Sequence, residues 1–130
     1  MKRASPEHDL QRAVVDLLIK TAPPDAAWTA INPKPQKGAA QGAQMKRLGL
    51  AAGIPDIIII RNGFTLWIEL KAPGGTLSDA QKEMHRRLIQ AHSVPVGPYT
   101  RSGTVVVCKS IDEVRMALAS HRMTREKAAA

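Results

Sequence analysis

An Asn62–Gly63 pair divides two apolar runs, residues 54–60 and 64–70, and no other feature of the chain constrains its fold so tightly. Asn-Gly between apolar segments is a strong hairpin signal, because both turn positions need positive φ. A two-residue turn fixes the register. Arg61 faces Phe64, Ile60 faces Thr65, and the count outward brings Asp56 opposite Glu69. Opposed residues on paired strands hold their Cβ atoms about 4.5–5.5 Å apart. Lys71 lies two residues past Glu69 and points to the same face. The turn therefore gathers two carboxylates and an ammonium at the open end of an apolar hairpin.

As pure structure that cluster is costly. Like charges directly opposite destabilise a sheet. Both strands are apolar enough to be covered on both faces, which raises the cost of charge there. A hard divalent cation resolves the conflict, since Mg²⁺ takes oxygen ligands and is commonly held by one or two carboxylates with waters and substrate phosphates. A buried Glu69–Lys71 salt bridge, with Asp56 capping a turn after Pro55, accounts for the same residues. The hairpin alone leaves both readings open.

Pro55-Asp56 followed by Glu69-Leu70-Lys71 has the form of the PD-(D/E)XK nuclease signature. With Gly53-Ile54 before it, Trp67-Ile68 inside it and Leu77-Ser78-Asp79-Ala80-Gln81 after it, the chain resembles the VRR-NUC family, the virus-type replication-repair nucleases. Glu7 and Gln11 fit the same pattern, and the resemblance runs over residues 7–118. Lys109 departs from it, standing where the pattern tends to have arginine.

The remaining sequence is compatible with this. At 130 residues the chain is long enough for one domain with a modest core. A formal net charge of +8 favours a polyanionic partner, most simply nucleic acid. One cysteine, Cys108, allows no internal disulfide and no cysteine metal cage, which points to a reducing, intracellular compartment. No stretch is long enough to span a membrane, and residues 1–10 are too polar for a secretory signal.

Ser5 and Pro6 read as the N-cap and first residue of a helix with the apolar stripe Leu10, Ala13, Val14, Leu17 and Leu18. Glu7 falls within that stripe. It is either a first-turn acid favoured by the helix dipole or an acid placed for function. Residues 28–31 read as a first strand. Between Ala26 and Pro55 there is no acidic residue, while Lys34, Lys37, Lys46 and Arg47 lie there with Gly38 and Gly42. This reads as a basic, flexible loop for the phosphate backbone, with residues 43–52 as a short helix. Few aromatics are present, so base stacking is a minor expectation.

Ser78 and Gln81 form a capping box for the next helix. Leu77, Gln81, Met84 and Leu88 share a face, so Gln81 can also turn toward the hairpin. His85 and His92 lie seven apart on one face with no third ligand in view, and read as polar or packing residues. Residues 104–108 form a fourth strand. Ser110 and Glu113 read as a capping box for a final helix carrying Ile111, Val114, Ala117 and Leu118, and His121 onward as a basic, poorly ordered tail. The expected fold is α/β, in the order α-β-β-β-α-β-α. One domain is expected over residues 1–121, with residues 122–130 as the tail.

What the resemblance implies is more specific. The fold is a restriction-endonuclease-like core, a mixed sheet flanked by helices. The activity is Mg²⁺-dependent hydrolysis of DNA phosphodiesters, with Mn²⁺ able to substitute and no small-molecule cofactor. Asp56, Glu69 and the main-chain carbonyl of Leu70 are the implied metal ligands, with Glu7 as a further acid. Lys71 and Gln81 join the two carboxylates as catalytic residues. Stand-alone members resemble junction-resolving enzymes, which implies branched DNA and a homodimer. Two other classes fit the same sequence: a nucleic-acid-binding module that has lost catalysis, and a subunit that cleaves only with a partner.

Overall fold

The computed structural model describes residues 6–31 and 47–125. In chain order these form α1 (Pro6–Thr21), β1 (Ala27–Ala30), β2 (Ile57–Arg61), β3 (Phe64–Leu70), α2 (Asp79–Ala91), β4 (Gly103–Cys108) and α3 (Ile111–Ser120). The strands make one mixed sheet in the order β1-β2-β3-β4, antiparallel except for the parallel pair β3 and β4. Parallel neighbours need a crossover, and α2 supplies it. The element order is the one expected, and the architecture is consistent with a restriction-endonuclease-like core.

The hairpin turn has the backbone its sequence demands. Asn62 (φ 54°) and Gly63 (φ 79°) both take positive φ. Pairing then runs from Arg61 with Phe64 to Ile57 with Ile68, in the expected register.

Alternation along the strands divides the sheet into two faces. Ile57, Ile59, Phe64, Leu66, Ile68 and Leu70 pack with Val14 and Leu18 of α1 and Val114 and Leu118 of α3 in one core cluster. Burying each such side chain contributes about 1.5–3 kcal/mol. The stripe on α3 is therefore spent on the sheet, with Val114 and Leu118 fully buried. On the other face α2 lies over β3 and β4, with His85 against Glu69 and His92 against Trp67. β2 is not fully covered there: Ile60 is 41% exposed. The expectation that both hairpin strands are buried on both faces holds for β3 only.

Local signals near the helices were partly right. Ser78 and Gln81 form the full capping box of α2. At α3 the Ser110 hydroxyl accepts from the Glu113 N–H, but the Glu113 carboxylate takes the Lys109 N–H (2.7 Å), one residue before the cap. The start of the expected tail is also structured. Met123 is buried, its N–H donates to the Leu118 carbonyl, and Arg125 donates to the carbonyls of Thr21 and Ala22 at the end of α1. The capping residue Ser5, the loop residues Lys34, Lys37 and Lys46, and residues 126–130 lie outside the described residues.

Gly53 lets α2 pack closely against the segment before Asp56. It takes φ +79°, and a Cβ on it would overlap the backbone of Ala80 and Gln81. Gly74 has the same φ with open space around it. Both Gly→Ala changes therefore carry the left-handed backbone cost of about 1–3 kcal/mol, and Gly53→Ala adds a backbone collision. Urea unfolding should show Gly53→Ala as clearly the more destabilised of the two. Equal losses would mean that α2 does not rest on Gly53.

Candidate active site

Asp56 and Glu69 are both almost fully buried, at 1% exposure. Their setting follows from where regular pairing of the hairpin ends. Continued past Ile57, the β2–β3 ladder would pair Pro55 with Leu70, and proline has no N–H to offer it. Regular pairing stops at Ile57. Asp56 lies just beyond, anchored from three sides. Its N–H donates to the Ile68 carbonyl (3.1 Å) and its carbonyl accepts from the Ile31 N–H (2.8 Å). Its carboxylate Oδ2 accepts the Leu70 N–H at 2.7 Å. The carboxylate thus stands in for the next rung of the ladder.

The other oxygen is left over. Among the described residues, Asp56 Oδ1 is the one buried side-chain oxygen or nitrogen with no hydrogen-bond partner. Buried polar atoms are normally paired, and an orphan needs a reason. A cation is the natural one for an anionic oxygen. The two buried carboxylates offer oxygen donors, the type that Mg²⁺ or Mn²⁺ takes. On these grounds the residues fit the metal that the family resemblance implies.

Glu69 meets α2. Its Oε1 lies 3.1 Å from Nε2 of His85, which is 7% exposed. The His85 pKa is lowered, first by burial and then by the Lys71 ammonium, with the Asp56 carboxylate acting in the opposite sense. Asp56, Glu69, Lys71 and His85 therefore share one electrostatic neighbourhood. The Lys71 backbone is pinned there too, its N–H donating to the Cys108 carbonyl (3.0 Å).

The sequence reads His85 as a polar or packing residue and does not reveal its contact with Glu69. The available signal was a pair of histidines seven apart on a helix, matched to Glu69 and Trp67 two apart on a strand. It becomes legible only once α2 is known to cover that face of β3.

The remaining expected residues are placed differently. Gln81 is half-buried, and its Oε1 accepts the Ser78 N–H at 2.9 Å, so the side chain closes the helix cap. Glu7 is half-buried in the first turn of α1. The end of α1 lies by the hairpin turn, where the following Asp25 pairs with Arg61 (2.8 Å). Glu7 does not complete a three-ligand set with Asp56 and Glu69, because no three His, Cys, Asp or Glu side chains among the described residues are grouped to hold a metal. Arg47 is exposed. No helix among the described residues is long and apolar enough to cross a membrane.

Below the carboxylates, Trp67 is tied down rather than presented for stacking. Its indole N–H donates to His92 Nε2 (3.0 Å), and an indole can only donate. The proton of His92 is therefore on Nδ1, which donates to Ser102 Oγ (3.0 Å). Protonating Nε2 would break the indole bond. Burial holds the His92 pKa below its ordinary value of 6.5. The unfolded chain then binds protons first as pH falls. The stability from this contact is complete above the unfolded value and is lost as pH drops through the lower folded value. His85, also lowered, acts in the same sense. Urea midpoints should fall between about pH 7 and about pH 5, and His92→Gln should flatten that fall. An unchanged slope would show that His92 is not held neutral.

The model of the VRR-NUC domain family matches residues 6–110, which takes in every element from α1 to β4 and all of Asp56, Glu69, Lys71, Gln81 and His85. No curated protein and no solved structure matches the chain. The family match spans most of the chain. The chain belongs to the VRR-NUC family and carries a nuclease-like domain.

Proposed function

We propose that the protein is a Mg²⁺-dependent endonuclease acting on DNA, and on branched DNA such as junctions or flaps. The observation that carries this is the orphaned Asp56 Oδ1, buried in the same neighbourhood as a second buried carboxylate. Asp56, Glu69 and the Leu70 carbonyl would hold the cation, with Glu7 acting through water. When bound, the cation supplies Lewis-acid polarisation of the phosphate and activation of water.

The chain's own groups do the rest. Asp56 is oriented by the Leu70 N–H, so one of its oxygens keeps a fixed direction. Lys71 is a point charge on a flexible stem and would orient the attacking water or neutralise charge developing on the phosphate. Gln81 lies in the first turn of a helix whose backbone packs against Gly53, and a rearranged cap would bring its amide to the phosphate. Lys34, Lys37, Lys46 and Arg47 would hold the DNA backbone. Symmetric cutting of a branched substrate needs two sites, which a two-fold homodimer supplies.

Cleavage of a panel of linear, flapped and four-way-junction DNAs with Mg²⁺ or Mn²⁺ tests the reading, and branched substrates should be cut first. Binding without cleavage under either metal would leave a nucleic-acid-binding module. Lys71→Ala should keep DNA binding and lose about 10²-fold or more in turnover. Equal losses in binding and turnover would make Lys71 a phosphate anchor instead. Neutralising Lys34, Lys37, Lys46 and Arg47 together should weaken binding and reduce its salt slope, and an unchanged slope would remove that segment from the interface. Light scattering at micromolar concentration should give about twice the 14.1 kDa chain mass. A monomer that makes only single nicks would replace junction cutting with nicking, without touching the metal chemistry.

A further inference from the structure

We infer that His85 is a positioning residue: through its Nε2 it orients the Glu69 carboxylate for the cation. This rests on the reading of Asp56 and Glu69 as metal ligands. The two carboxylates reach the site by different means. Asp56 has a short side chain, and the backbone N–H of Leu70 holds it. Glu69 has one more rotatable bond and sits 1% exposed on β3, so its direction must be set by what packs over it. What packs over it is α2, with His85 Nε2 at 3.1 Å from Oε1. That contact commits one oxygen to the helix and fixes the rotation of the carboxylate.

The helix is itself placed by the other ligand-bearing segment. Gly53, three residues before Asp56, lies against the backbone of Ala80 and Gln81 so closely that no Cβ fits between them. The reciprocal Ser78–Gln81 cap fixes where the helix begins. One turn further on, His85 reaches Glu69. α2 therefore spans the two strand ends and sets the direction of Glu69 relative to Asp56. An N–H donor on a ligating carboxylate is an outer-shell partner, and losing one typically weakens metal affinity by about 10–100-fold. A residue that only satisfied a buried carboxylate would change stability and leave the affinity of the folded protein unaltered.

The test is Mn²⁺ affinity of the full chain without DNA, read by electron paramagnetic resonance for wild type, His85→Leu and His85→Gln. Leucine keeps bulk and removes the donor. Glutamine keeps an N–H at similar reach. His85→Leu should bind Mn²⁺ about 10–100-fold more weakly, and His85→Gln should recover most of the loss. Should the leucine variant not fold, His85→Asn, which keeps the amide but shortens its reach, should show the same weakening. Unchanged affinity in the folded leucine or asparagine variant overturns the inference, as does equal weakening by glutamine and leucine. Wild type that binds no Mn²⁺ would remove the metal reading itself and this inference with it.

Discussion

The bond from the Leu70 N–H to the Asp56 carboxylate holds the open end of the hairpin, and the site is arranged around it. Regular pairing stops at Ile57, and beyond it the Asp56 carboxylate accepts the Leu70 N–H in place of a main-chain carbonyl. The exchange has two consequences. It keeps the strand ends together without a further residue pair. It also places an anionic group where a neutral carbonyl would have stood, out of contact with water.

That charge makes the end of the sheet electrostatically unlike the rest of it. A core of isoleucine, leucine and valine from β2, β3, α1 and α3 is satisfied by burial alone. The carboxylate end is not. Glu69 is met by His85, and Lys71 and Asp56 act on that histidine with opposite sign. Asp56 Oδ1 remains without a donor. A partly satisfied buried network costs more than an apolar core, so a fold keeps one only where another component completes it or where function requires it. The belt below, Trp67 to His92 to Ser102, has every polar group paired and shows what the same layer looks like when it is purely structural.

Much of this was legible because the strongest signals were local. Asn62–Gly63 set a register that pairing follows as far as Ile57, and that register led directly to Asp56 and Glu69. Helix caps at Ser78 and Ser110 were readable for the same reason, since a cap is decided within four residues. What failed depended on contacts far apart in sequence. His85 has no meaning until α2 is laid on β3. The docking of Met123 and Arg125 against α1 is a contact across about a hundred residues, which composition reads only as a basic tail. The exposure of Ile60 depends on α2 lying over β3 and β4 instead of β2. Gln81 is the instructive intermediate: its local role as a cap is visible, and its role at the carboxylates is proposed from family pattern alone.

The central claim is that Asp56 and Glu69 share one divalent cation. Crystals grown with Mn²⁺ and measured for anomalous scattering test it most directly. The account requires a peak bound by both carboxylates and by the Leu70 carbonyl, with Asp56 Oδ1 among its ligands. A crystal with no peak there, and with Asp56 Oδ1 bonded to a protein donor or an ordered water, would contradict it.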